Sequence, residues 1–301
     1  MATLVMVLPL LFLLILPLSL NLDLLTLLAD WTESFPQFCV GRFHIGTYTP
    51  LYKALCCGAS MPKNSPTFLL FRHLGLIHLL VVSGLHLLIV ERALYYVLQR
   101  RTGSKRLSVL LLFSFVATCR FAPPVTRAFS QKLLGYWGSS WSTHWPSPLR
   151  VFLCGTLLLC LFPKWGNSLS LQLSWTAALI LCLKAGPLQL GGLLYVALLP
   201  FLLPLGLPHP LSLLFSCWAA GLVLFPLMIC AWLIWLLPEL HRWVDPCTES
   251  LITVLEQLSQ LIPPPLEVSH DLPHHWLWLY IFILNLGIYL WDVTKLRRQY
   301  W

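Results

Sequence analysis

Arg72, His73, His78, Ser83 and His86 all fall inside one apolar run, Thr67–Leu98 (TFLLFRHLGLIHLLVVSGLHLLIVERALYYVL). Their types and spacing admit three chemistries. A Ser83/His86 pair three residues apart could serve as nucleophile and base, as in intramembrane serine proteases. The GxSG context of such enzymes is absent, since Val81-Val82-Ser83-Gly84 stands there. His78 and His86 could ligate a transition metal, but no carboxylate or cysteine sits at ligand spacing beside them. Third, the polar positions could line a path, with Gly84 letting another helix approach closely. Hydrogen bonding between helices, with no further role, is the remaining reading. The residues favour lining or packing over catalysis, so we expect no catalytic residue, no bound metal and no cofactor.

The element that must position these residues reads as one membrane helix, because about 20 apolar residues suffice to span hydrocarbon. With His78 at zero on a helical wheel, Gly75 lies near about 60°, His86 about 80°, Arg72 about 120° and Ser83 about 140°. They would share one side. Each ionisable group in hydrocarbon costs roughly 2.5–3.5 kcal/mol on insertion scales, so that side should face protein or water.

The rest of the chain fits a membrane setting. Hydrophobic residues make up 58% and charged residues 10%, against about 25% charge in soluble domains. The formal net charge of +8 fits either cationic loops held in the cytoplasm or attraction to a polyanion or anionic lipid. Ten cysteines form no CxxC and no zinc-like spacing. Cys154, Cys160, Cys182, Cys217 and Cys230 read as small hydrophobes in spans. Cys39, Cys56, Cys57, Cys119 and Cys247 lie near loops and could pair in an oxidising compartment.

Apolar runs predict about eight spans, with seven as the alternative: Leu4–Leu28, Thr67–Leu98, Leu107–Cys119, Leu149–Phe162, Leu169–Leu183, Leu188–Leu207, Leu211–Leu237 and Trp276–Trp291. The expected fold class is therefore an all-α, polytopic integral membrane helix bundle with kinked or broken spans. Its parts are an N-terminal span (1–29), a short extracytoplasmic segment (30–66), a membrane core (67–237), an acidic extracytoplasmic loop (238–275), and a last span with a basic tail (276–301). RFHIGTY is the best strand candidate, and Glu249–Leu261 has the spacing of an amphipathic surface helix. Pro123 and Pro124 must end or break a helix, and Pro200, Pro204 and Pro226 should kink spans. Trp137, Trp141 and Trp145 suit an interfacial belt. The basic loop 99–106 and the basic C-terminus place both termini in the cytoplasm. Arg120, Arg127 and Lys132 then land outside, so either the count is off by one or PPVTRAF re-enters the membrane.

FRHLGLIHLLVVSGLHLLIV resembles the signature of the ComEC-type (Rec-like) competence family, in which a Gly-Leu-x-His run leads into Ser-Gly-Leu-His. The matching residues are Gly75, Leu76, His78, Ser83, Gly84, Leu85 and His86. LYKALCCGASMP is similar to the approach to that segment, with Gly58 in place. PPVTRAF is similar to the family's Pro-Ser-Val-x-Arg-Ala element, which sets Arg127 and Ala128 in register. FPKWGNSLSLQLSWTAALIL matches a Gln-Leu-Ser-Phe element through Gln172, Leu173 and Ser174. In a later element, where an Asn precedes a Pro, Pro226 is retained. Gly221 stands where the family has Asn, and Pro124 where it has Ser. Full-length relatives add an OB-like and a metallo-β-lactamase-like domain. Residues 30–66 are too few for the former, and no HxHxDH motif marks the latter, so nuclease activity is not carried over.

The resemblance implies a channel core that passes single-stranded DNA into the cytoplasm during natural transformation, in a bacterial plasma membrane. Its implied path or DNA-contact residues are Arg72, His78, Ser83, Gly84, His86, Arg127, Gln172 and Ser174. Arg127 reads either as an interfacial cation or as one meeting phosphate, which arginine engages in bidentate fashion. Implied partners are single-stranded DNA, membrane lipid, separate nuclease, receptor or helicase proteins of the uptake machinery, and a second copy of the chain. A small-solute or ion transporter, an intramembrane hydrolase and a degenerate family member remain as rivals.

Overall fold

In the computed structural model, the described residues are 30–44, 46–98, 104–137, 147–183, 185–203, 209–210, 212, 220–265 and 273–299. The expected first span, the basic loop at 99–103, Trp141, Trp145, Pro204, Glu267 and Asp271 lie outside them. Helices dominate, and no strand occurs among the described residues. The order is α1 (Ser34–Gly41), α2 (Thr49–Cys57), α3 (Pro66–His73), α4 (Ile77–Leu80), α5 (Gly84–Leu98), α6 (Ser104–Thr118) and α7 (Pro123–Trp137). Then follow α8 (Ser147–Leu161), α9 (Leu169–Ile180), α10 (Pro187–Leu202), α11 (Phe225–Leu236), α12 (His241–Ser259) and α13 (His274–Gln299).

The Thr67–Leu98 run is not one helix. Ser65 caps α3 by accepting the Phe68 N–H, with Pro66 in the first turn. α3 stops at His73 because Gly75 takes φ 70°, which a residue with a Cβ adopts only at a cost. There the Leu76 N–H closes back on the Phe71 carbonyl at 2.7 Å. After the single turn of α4 the chain extends at Val81 (φ −91°, ψ 121°) before α5 begins. The single-stripe geometry of the wheel is thereby overturned, since the polar residues sit on three pieces with different axes.

Other expectations are corrected by local chemistry. RFHIGTY forms turn and coil where it is described, and segment 30–66 instead holds α1 and α2, tied by a Cys39–Cys57 disulfide. α2 ends on Gly58 at φ 65°, where a Cβ would stand 3.1 Å from the Cys119 Cβ. Pro123 and Pro124 do break the chain, but they also start α7: proline suits the first helical turn, whose N–H groups lack partners anyway. Two left-handed residues, Arg120 (φ 53°) and Phe121 (φ 50°), make the corner before them. Pro226 likewise lies in the first turn of α11 rather than kinking a span, behind a π turn at Ala220–Leu224. Pro200 does sit inside α10. Glu249–Leu261 falls within α12 except for its last two residues, and α12 buries Val244, Thr248, Ile252 and Leu255 along one stripe.

No helix among the described residues is long and apolar enough to cross a membrane. The apolar runs are broken into pieces such as α6 and α8, of 15 residues each. At 1.5 Å per residue such a piece reaches about 22 Å, against about 30 Å of hydrocarbon.

Three apolar cores hold the helices. One joins α1–α4 with α11 and α12. A second joins α8, α9, α10 and α13. The third joins α5, α6 and α7. α7 also packs on α8 and α9, so it bridges the second and third cores. The α8–α9 crossing is close because Gly155 faces the Trp175 ring, which a Cβ would meet at 2.5 Å.

Candidate functional site

Ser83 and His86 meet at the start of α5. The Ser83 N–H donates to His86 Nδ1 at 3.2 Å, and the Leu85 N–H donates to Ser83 Oγ at 3.3 Å. This is a variant of the capping box: histidine takes the place usually held by Glu or Gln, and the Ser83 hydroxyl serves the N2 rather than the N3 N–H. A ring nitrogen that accepts a backbone N–H carries no proton, so the neutral imidazole keeps its proton on Nε2. His86 is fully buried, and Nε2 has no partner in hydrogen-bonding geometry. Ser83 Oγ is 3.2 Å from Nδ1, so a serine–histidine contact exists, but its local purpose is to close the helix end.

His78, on α4, donates its Nδ1–H to the Gly75 carbonyl at 3.1 Å. The residue is exposed, one short helix ahead of His86 in the chain. His73 is tied elsewhere, by a 2.7 Å bond to the Ile262 carbonyl. Arg72 is half-buried on α3 and, among the described residues, makes no side-chain hydrogen bond or ion pair. It stands apart from the residues gathered at α5.

Arg127 is buried rather than set on a surface. It is 5% exposed, rising from α7 into the junction of α5, α7 and α9. Its Nε donates to Ser174 Oγ at 3.0 Å, and its Nη1 donates to Gln131 Oε1 at 3.1 Å. Nη2 points at the first residue of α5: a Cβ at Gly84 would lie 4.0 Å from it and 3.1 Å from the Ala128 Cβ. Among the described residues no carboxylate pairs with Arg127. The ion pair on this flank is instead Lys132 Nζ to Glu91 Oε2 at 2.6 Å, where Tyr136 Oη also donates to Glu91. With one partner at 43% exposure, that pair is worth under about 1 kcal/mol.

Gln172 is buried one turn before Thr176 on α9; its Nε2 reaches the Gly166 carbonyl at 3.5 Å, and its Oε1 is unpartnered. Trp278 Nε1 donates to that same carbonyl at 2.7 Å, which ties α13 to the loop before α9. Gly84, Ala128, Arg127 and Ser174 are thus brought together with Ser83 and His86 nearby, while among the described residues neither Arg72 nor Gln172 hydrogen-bonds to the guanidinium. Sequence reading missed Gln131, although its place four residues after Arg127 puts both on one helix face. It also missed the buried polar residues Thr156, Thr176 and Asn285. For Asn285 the signal was present: a lone amide in an otherwise apolar last run.

A second polar cluster lies between α2 and α12, where Tyr52 Oη contacts Asp245 Oδ1 at 2.9 Å and Thr248 Oγ1 at 2.8 Å. Burial, aided by Asp245, pushes the Tyr52 phenol well above its ordinary range.

These features define an all-helical protein in which broken helices gather a buried cation and two histidines at a junction of three cores. The chain belongs to the competence protein family, whose model matches residues 64–294. That span starts just before α3 and takes in the whole site. The chain is also similar to an uncharacterized protein of Aquifex aeolicus (strain VF5), 38% identical over 113 residues. The match covers 38% of this chain and 27% of that relative, so it spans about a quarter of the relative's length. No solved structure matches the chain.

Proposed function

We propose that the chain is the membrane-embedded core of a DNA-uptake channel, which passes single-stranded DNA into the bacterial cytoplasm during natural transformation. The observation that carries this reading is a set of buried polar side chains enclosed by broad outward apolar faces. His86, Arg127, Thr156, Gln172, Thr176 and Asn285 are all buried, while Leu110, Leu188, Val196, Leu222 and Ile283 are each more than 60% exposed. Outward apolar faces of this extent need lipid or another chain to cover them, and buried polar groups inside such a shell mark a path or a relay. Short broken helices suit the same setting, since non-helical backbone at membrane depth is tolerated where it lines a cavity. Membership of the competence family supports DNA as the cargo.

In this reading His78, Ser83, Gly84, His86, Arg127 and Ser174 line the path, and Arg72 and Gln172 flank it. No catalytic step, metal or cofactor is assigned to the chain. Nuclease, receptor and helicase functions come from separate proteins, and the chain sits in the plasma membrane as a multi-pass protein that can self-associate.

The test is deletion of the gene in its host, scored by uptake of labelled DNA into a nuclease-protected pool. Loss of uptake, restored by the wild-type gene and not by Arg127→Ala, supports the proposal. Unchanged transformation in the deletion strain sinks it. Normal uptake with altered proton-coupled solute flux would favour a small-solute transporter instead.

A further inference from the structure

The Arg127 guanidinium is 5% exposed, and its hydrogen-bond acceptors, Ser174 Oγ and Gln131 Oε1, are both neutral. A charge withdrawn from water without a counter-charge is strongly disfavoured. Natural proteins resolve this with a partner, and among the described residues none is present. The unused part of the guanidinium is not turned toward an apolar wall. Nη2 lies against Gly84, the first residue of the 15-residue helix α5, whose positive end adds to the same field. Two residues into α5, His86 is fully buried, with the Leu79 carbonyl beside its ring and Nε2 short of hydrogen-bonding geometry. Cation and helix terminus therefore share one sign and one neighbourhood.

We propose that this neighbourhood binds one phosphate-ester oxyanion, with Arg127 Nη2 as the primary donor and Ser174 and Gln131 as positioning residues that hold the guanidinium's other edges. Gly84 is part of the site: a Cβ there would stand 3.1 Å from the Ala128 Cβ and 4.0 Å from Nη2, so the glycine lets α5 and α7 come close beside the guanidinium. The inference rests on the conduit reading for the source of the ester, a backbone phosphate of single-stranded DNA. The chemistry of the site is shared by a phospholipid headgroup, and the experiment separates the two.

The full chain is purified and placed in nanodiscs of zwitterionic lipid. Binding of a fluorescein-labelled oligothymidylate is titrated across a salt series for wild type, Arg127→Gln, Arg127→Lys and Ser174→Ala. Thermal stabilisation by inorganic phosphate and by phosphatidylglycerol is recorded for each, and monodisperse elution screens every variant for folding. The site predicts that Arg127→Gln weakens oligonucleotide binding at least about tenfold. It also predicts that the slope of log K against log salt becomes shallower by about 0.7, the share of one phosphate contact on a single strand. Arg127→Lys should recover part of the loss and Ser174→Ala should fall between, and stabilisation by phosphate should vanish in Arg127→Gln. Should Arg127→Gln not fold, Ser174→Ala and Arg127→Lys carry the test through their phosphate response. Intact oligonucleotide binding with loss of phosphatidylglycerol stabilisation would keep the phosphate-ester site, assign it to lipid, and overturn its place in the DNA path. Wild-type and variant proteins that respond alike to all three probes, or a wild type that responds to none, would overturn the site itself.

Discussion

Replacing His86 separates the helix-capping role of its ring from every other role. His86→Ala removes the acceptor of the Ser83 N–H, a cap loss of about 1 kcal/mol. It also empties a fully buried site, which for side chains of this size costs about 2–3 kcal/mol. Against this, it removes the unpartnered Nε2–H, whose burial costs about 1–2 kcal/mol. The net is a loss of about 2 kcal/mol in local stability. His86→Gln keeps a carbonyl oxygen at the position where a capping box places Gln, so its cost should stay below about 1 kcal/mol. Hydrogen exchange of the amides at residues 83–87, read by mass spectrometry in detergent, reports the difference. At a factor of ten per 1.4 kcal/mol, Ala should speed exchange about thirtyfold and Gln less than about fivefold. Equal acceleration in both variants would refute the capping assignment, and no acceleration in Ala would show that the Ser83–His86 bond contributes nothing.

Three further outcomes follow from the packing and the backbone. Gly155→Ala drives a methyl into the Trp175 ring and should cost at least about 1–3 kcal/mol, seen as a lowered thermal midpoint with altered tryptophan emission. Arg120→Gly relieves a left-handed residue at φ 53° and should raise stability by about 1 kcal/mol, measured by the same melt. Tyr52→Phe loses the hydroxyl that contacts Asp245 and Thr248 and should cost about 1–3 kcal/mol near neutral pH. Because the folded phenol titrates above its unfolded value, its contribution is full below a pH of about 10 and is lost as pH rises beyond it. Melts of Tyr52→Phe should therefore fall off less steeply above that pH than those of wild type.

The helical class was legible in the sequence, because a period of 3.6 and long apolar runs leave little room for strands. The prolines at 123 and 124 marked a true boundary for the same local reason that they begin α7. What could not be read was the path of the chain between Thr67 and Leu98. Gly75 and Val81 each look tolerable in an apolar helix, and only tertiary packing decides that one turns left-handed and the other extends. The wheel drawn through His78, Ser83 and His86 failed there. Arg127 and Ser174 lie 47 residues apart, and their meeting depends on how α7 packs on α9, which no local pattern encodes. The family motifs nonetheless pointed to both residues. The Cys39–Cys57 pair was one of several possible among loop cysteines, and no spacing rule selects it.

Position-specific cross-linking during uptake tests the conduit most directly. A photoreactive residue placed at His78 or Ser174, and in parallel at Leu110 or Val196 on the outward apolar faces, is illuminated while the host takes up labelled DNA. A path through the site predicts labelled adducts at 78 and 174 and none at 110 or 196. Adducts absent from 78 and 174 in cells that take up DNA normally would contradict it.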